Sequence, residues 1–164
     1  MPFTPFHLGP GAVFKAVGGR RFSFLVFGGT QVLMDIEPLL GILRHQPILH
    51  GYTHTLAGAL LIGVAAALTG RPASRFVLRR LAIPHDALTW PVAFASAFIG
   101  TYSHIALDAV MHADMRPWWP LATGNGLLGS LPLGVLHLLC AGAAVVGAVA
   151  LAVRAALRRY FPAG

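Results

Sequence analysis

Acidic residues are what this chain has least of: five Asp and Glu stand against twelve Lys and Arg in 164 residues. Charged side chains of both signs make up only 10% of the sequence, well under the roughly 25% of an ordinary soluble domain. Water is therefore not the expected solvent for most of the surface. A single cysteine, Cys140, lies inside an apolar run, which excludes a disulfide framework and paired-cysteine metal sites and leaves it a packing role. The net charge of +7 does not indicate a nucleic-acid binder, because its carriers fall in three clumps between apolar runs and form no basic stripe. Met1 to Gly11 lacks a basic segment followed by a long apolar core and a small-residue cleavage site. Insertion into a membrane is accordingly expected to rely on internal helices. No repeat or low-complexity linker divides the chain, and its length suits one domain over residues 1–164.

What the chain has instead is apolar length, with 56% hydrophobic residues. About 20 residues cross a hydrocarbon core, and four stretches fit: Phe22 to Leu43, Thr53 to Thr69, Trp90 to Met111 and Leu131 to Val153. The second is rich in Gly and Ala, which suits close helix packing. Lys15, Arg20 and Arg21 precede the first stretch, Arg71, Arg75, Arg79 and Arg80 follow the second, and Arg154, Arg158 and Arg159 follow the fourth. In a four-span topology these share one side, leaving only Arg44 and Arg116 opposite, so the basic side is assigned to the cytoplasm. The expected fold is an all-α polytopic membrane bundle of four spans plus a short N-terminal helix, located in a bacterial inner membrane. That helix is predicted from Pro5 to about Val17, with Thr4 as its cap and Gly18-Gly19 as its stop. Trp118 and Trp119 read as an interfacial anchor.

Polar residues within this apolar sequence converge on the non-cytoplasmic end. Asp35 and Glu37 sit late in the first span, and His50 and His54 open the second. His104, Asp108 and His112 occupy the outer end of the third, and His7 joins them if the N-terminal helix starts outside. Residues four apart share a helix face, so His104, Asp108 and His112 form one stripe, and His50 with His54 is expected to form another. Ionisable groups at membrane depth are costly unless paired or bound to a cation. A divalent metal is the simplest shared partner, and imidazole with carboxylate suits zinc, manganese or iron, zinc being favoured for hydrolysis. Taken singly, each residue also admits a structural reading, such as Asp35 or Glu37 pairing with Arg44. His45, His85 and His137 lie apart from the group and are read as solvated or structural.

At His50-Gly51-Tyr52-Thr53-His54-Thr55 and at Tyr102-Ser103-His104-Ile105-Ala106-Leu107-Asp108, the chain resembles the YdjM-like membrane-bound metal-dependent hydrolases. That family is similar in turn to the zinc phospholipase C and P1 nuclease group. Its N-terminal His, D-x-D, G-x-T-H and S-H-x-x-x-D motifs fall here on His7, Asp35-Ile36-Glu37, Gly51 to His54 and Ser103 to Asp108, and a following Trp-Pro pair on Trp119-Pro120. Pro38 and Leu49 stand where the family often has His, so His50 substitutes from a neighbouring position. The resemblance implies hydrolysis of a phosphoester or lipid; from the convergence of the polar residues, Asp35, His54, His104 and Asp108 are expected to hold one or two metal ions, with His7, Glu37, His50 and His112 as further candidate ligands. Glu37 is also a candidate general base, and His7 and His112 are candidates to protonate the leaving group. Two rival readings use the same residues: metal-ion binding or transport, and a scaffold whose metal is structural. Expected partners are membrane lipid, a divalent metal and a small-molecule or lipid substrate, with no nucleic acid.

Overall fold

A computed structural model describes residues 5–160, so Thr4, the expected cap, lies outside the described residues. A turn of 3-10 helix, Pro5–Leu8, runs into α1 (Gly9–Gly18). The helix stops where the glycine pair predicts, with Gly19 at a φ of 52°, a conformation open to glycine at little cost. The first apolar stretch is two helices, α2 (Phe24–Met34) and α3 (Ile36–Leu43), which meet at Asp35. Pro38 supplies the reason: it has no N–H for the Met34 carbonyl four residues back, and its ring crowds that carbonyl.

α4 (Leu56–Arg80) begins later than Thr53 because Tyr52–His54 forms a 3-10 turn. The Thr55 hydroxyl caps α4 by accepting from Gly58 N at 2.9 Å. α4 then carries on beyond Thr69, through Pro72, to include its arginines. α5 spans Trp90–Met111, the predicted bounds, and α6 spans Leu133–Tyr160. Among the described residues, three segments are long and apolar enough to cross a membrane: Phe24–Leu43, α4 and α6. α5 has 22 residues and sufficient length, but it is not one of the three. Its inward face carries Ser96, Thr101, His104 and Asp108, all buried, and these polar residues lower its apolarity.

α2, α4 and α5 pack together through small side chains. Ala59, Ala66, Ala67, Ala93, Ala97 and Ala109 are all buried, which lets the backbones approach closely. Large apolar residues point outward instead, among them Leu61, Leu138, Val145 and Val146. α1 pairs with α6. The basic residues collect at one end of this arrangement: Arg71 Nε donates to the Leu88 carbonyl at 2.8 Å, Arg20 pairs with Asp86 at 2.9 Å, and Arg154 donates to the Ala16 carbonyl. α4 and α5 lie against each other, so His54 in the turn before α4 and Asp108 near the end of α5 meet at the opposite end.

Candidate metal centre

Four buried side chains from three segments meet there. Asp35 comes from the α2–α3 joint, His54 from the turn before α4, and His104 and Asp108 from successive turns of α5. One donor atom of each lies within 4.8 Å of all the others. Asp108 also belongs to a second group with His50 and His112. His104 and Asp108 share a helix face, as their spacing predicts. His50 and His54 do not, because a loop and a 3-10 turn bring them in.

Outer partners decide which nitrogen each imidazole presents. Gln31 Nε2 donates to the Gly100 carbonyl at 3.2 Å, which turns Gln31 Oε1 toward His104 Nδ1 at 2.7 Å. An amide oxygen only accepts, so the His104 proton sits on Nδ1. The Thr53 hydroxyl donates to Glu37 Oε2 and lies 3.0 Å from His54 Nδ1, so it accepts from that ring. His50 Nδ1 donates to Asp114 Oδ1 at 2.9 Å. With the proton on Nδ1, each ring points its Nε2 inward, the arrangement typical of metal-binding histidines.

Those nitrogens face carboxylate oxygens. His104 Nε2 lies 3.0 Å from Asp108 Oδ2 and 3.6 Å from Asp35 Oδ1, and His54 Nε2 lies 3.5 Å from Asp108 Oδ2 and 3.4 Å from His104 Nε2. Acceptors this close repel one another unless a cation lies between them. Donors bound at about 2.0–2.1 Å around a tetrahedral zinc would be spaced about 3.3 Å apart, close to these four distances. The donor set therefore could hold a metal ion. His7 adds to the fit. Its Nε2 is 3.1 Å from Asp108 Oδ1, yet neither of these atoms nor His7 Nδ1 makes a hydrogen bond with the described residues. Buried polar atoms without a partner cost about 1–3 kcal/mol each.

Glu37 reaches the centre only indirectly. Its carboxylate accepts from Tyr52 N at 3.1 Å, from Thr53 N at 3.0 Å and from the Thr53 hydroxyl. A Cβ on Gly51 would come within 2.6 Å of Glu37 Oε1, which is why the loop needs glycine there. Asp114 does the same for His50, accepting from Leu49 N at 2.8 Å and His50 N at 3.0 Å. Burial works to raise its pKa, but these N–H groups and the His50 ring outweigh it and hold the carboxyl at about 2. His112, stacked on His50 with ring centroids 4.0 Å apart, is pushed down to about 4 by burial and then by its neighbour. It is neutral near pH 7 and offers a lone pair.

All eight predicted ligands thus lie at or beside one centre. Gln31 was not anticipated, although an amide in the middle of an apolar run is the kind of residue that marks such a site. His45 and His85 are exposed, and His137 stacks on Phe6 with centroids 4.3 Å apart. No family model, curated protein or solved structure matches this chain.

Proposed function

We propose that this chain is a membrane-embedded, metal-dependent hydrolase of phosphoester or lipid substrates. The observation that carries the proposal is the four-donor group of Asp35, His54, His104 and Asp108, whose donor atoms all lie within 4.8 Å of one another and so could share one cation. The YdjM-like resemblance supports the same reading. In it α5 serves as a fourth span whose polar face is turned inward. The arginine-rich end faces the cytoplasm of a bacterial inner membrane, and the metal centre lies toward the other side.

Asp35, His54, His104 and Asp108 hold the first cation, and His50 and His112 complete a second group around the shared Asp108. Zinc best suits a set of imidazole and carboxylate donors with no sulfur. A divalent cation at this position supplies Lewis acidity and lowers the pKa of water. Gln31, Asp114 and the Thr53–Glu37 pair keep the rings in the required tautomers, so Glu37 is assigned to positioning His54.

Elemental analysis of protein purified without chelator tests the foundation. Wild type is expected to retain metal and His54→Ala to lose it; a metal-free wild type would sink the proposal. Metal-loaded protein is then offered a panel of phosphodiesters and lipids, with Asp108→Ala as control. Cleavage no greater than the control's removes the hydrolase reading. Metal flux into proteoliposomes that is lost in His104→Ala would establish transport in its place.

A further inference from the structure

Two cavities that share no lining residue reach the edge of the metal centre, one at Asp35 and the other at His50, and they differ in the charge they carry. One, of about 420 Å³, is a groove between the Pro5–Leu8 turn and α2, lined by Leu8, Leu25, Gly28, Gly29 and Val32 and reaching Asp35. Its walls are almost entirely apolar. Leu25 and Val32 are exposed on the outward face of α2, so the groove opens toward the membrane. Gly29 leaves it wide, since a Cβ there would meet nothing within 4 Å.

The other cavity, of about 310 Å³, is lined by Glu37, His50, Gly51, Tyr52, Arg116 and Trp119. Both its carboxylates are engaged: Glu37 holds the Tyr52–Thr53 backbone, and Asp114 holds Leu49 and His50. Arg116 is exposed and makes no side-chain hydrogen bond or ion pair with the described residues. The vestibule therefore presents a cation not already neutralised. Asp35, at the groove's end, shares one donor group with His54, His104 and Asp108, and Asp108 shares a second with His50 of the vestibule's wall.

We infer that the substrate is an anionic amphiphile, with its acyl chain in the α2 groove, its phosphate near Arg116, and the ester link between them at the metal centre. Neither cavity alone selects such a molecule; an apolar slot ending at Asp35 together with a guanidinium in the cavity walled by His50 does. The inference rests on the hydrolase reading for the reaction, in which the ester and water give an alcohol and an acid with no further reactant. The binding mode stands apart from turnover and can be measured separately.

The test uses metal-loaded full-length protein in phosphatidylcholine nanodiscs containing phosphatidic acid with a mid-chain diazirine. After irradiation, labelled peptides are mapped by mass spectrometry. Labelling is expected to concentrate on Leu8, Leu25 and Val32 well above the outward face of α6 at Val145 and Val149. Gly29→Phe, which fills the groove without touching a ligand, should abolish the excess at unchanged metal content. Arg116→Gln should lower it several-fold for this probe and leave labelling by a diazirine diacylglycerol, which lacks phosphate, unaltered. Groove labelling no higher than that of α6, or indifferent to Arg116→Gln, overturns the inference. Cleavage of a water-soluble phosphodiester by a protein lacking the excess would uphold the hydrolase and overturn this substrate. The expected labelling without turnover would support the binding mode and remove the hydrolase.

Discussion

Replacing Gln31 by Leu leaves every candidate ligand in place and removes only the acceptor that fixes the His104 tautomer. The bond lost is the 2.7 Å contact between His104 Nδ1 and Gln31 Oε1. A buried N–H left without a partner costs about 1–3 kcal/mol. The metal-free variant avoids most of that cost by moving the proton to Nε2, where Asp108 Oδ2 lies 3.0 Å away. Its stability is then nearly that of wild type, apart from the Gly100 carbonyl that loses the Gln31 donor. Binding a cation requires the proton to return to Nδ1, so the cost falls on affinity. An expected loss of roughly 10–100-fold follows, in line with other outer-sphere substitutions. Competition between the solubilised protein and a zinc-sensitive chelating dye measures it, and ring-nitrogen NMR reports the tautomer directly. Gln31→Glu keeps an acceptor and should hold affinity near wild type. Wild-type affinity in Gln31→Leu, or an equal loss in both folded variants, would refute the tautomer argument.

Three further outcomes are expected. Gly51→Ala pushes a methyl group to within 2.6 Å of Glu37 Oε1; overpacking of this kind costs about 1–3 kcal/mol, and here it should appear as weaker metal uptake that a shorter side chain, Glu37→Asp, partly restores. Asp114 has a folded pKa of about 2 against its ordinary 3.8, so it contributes stability that is present above pH 3.8 and lost as the pH falls toward about 2. Thermal melts of chelator-treated protein should show that loss in wild type and not in Asp114→Asn. Gly147→Leu sets a side chain against the Ala12 backbone and should lower the melting temperature while leaving the labelling ratio between groove and α6 intact in the folded fraction.

Much of the centre was legible because its residues contradict their surroundings. His104 and Asp108 lie one helical turn apart in a stretch whose bounds, Trp90 and Met111, were also readable. The break at Asp35 could have been read from Pro38, yet hydropathy alone joins Phe22 to Leu43 into one span, since it sees apolar length and not a missing N–H. His50 and His54 were placed on a helix by the same four-residue spacing that is correct for α5. Their actual approach depends on Glu37 and Asp114 capturing the 49–53 backbone, and those contacts join positions 15 to 65 residues apart. Gln31 is harder still. Its role exists only because α2 lies against α5, a tertiary fact that a local pattern does not contain.

α6 contributes none of the candidate ligands, and its contacts with α1 show what it does instead. A Cβ on Gly9 would strike the Cys140 carbonyl, and one on Gly147 would strike the Ala12 backbone, while Arg154 donates to the Ala16 carbonyl. These α6 positions recur every seven residues, the repeat that keeps two helices in register. His137 continues the seam at its outer end by stacking on Phe6. The residue after Phe6 is His7, whose ring must reach Asp108 although it sits near the start of the chain. Without such a brace, a short helix and its leading turn would fray at that point. Cys140 and His137, the two positions in α6 that by residue type invite a chemical reading, therefore act by packing. They differ from the ligands in a physical respect that holds across the molecule: their contacts are made with the neighbouring helix, whereas the donor atoms of His54, His104 and Asp108 face chiefly one another.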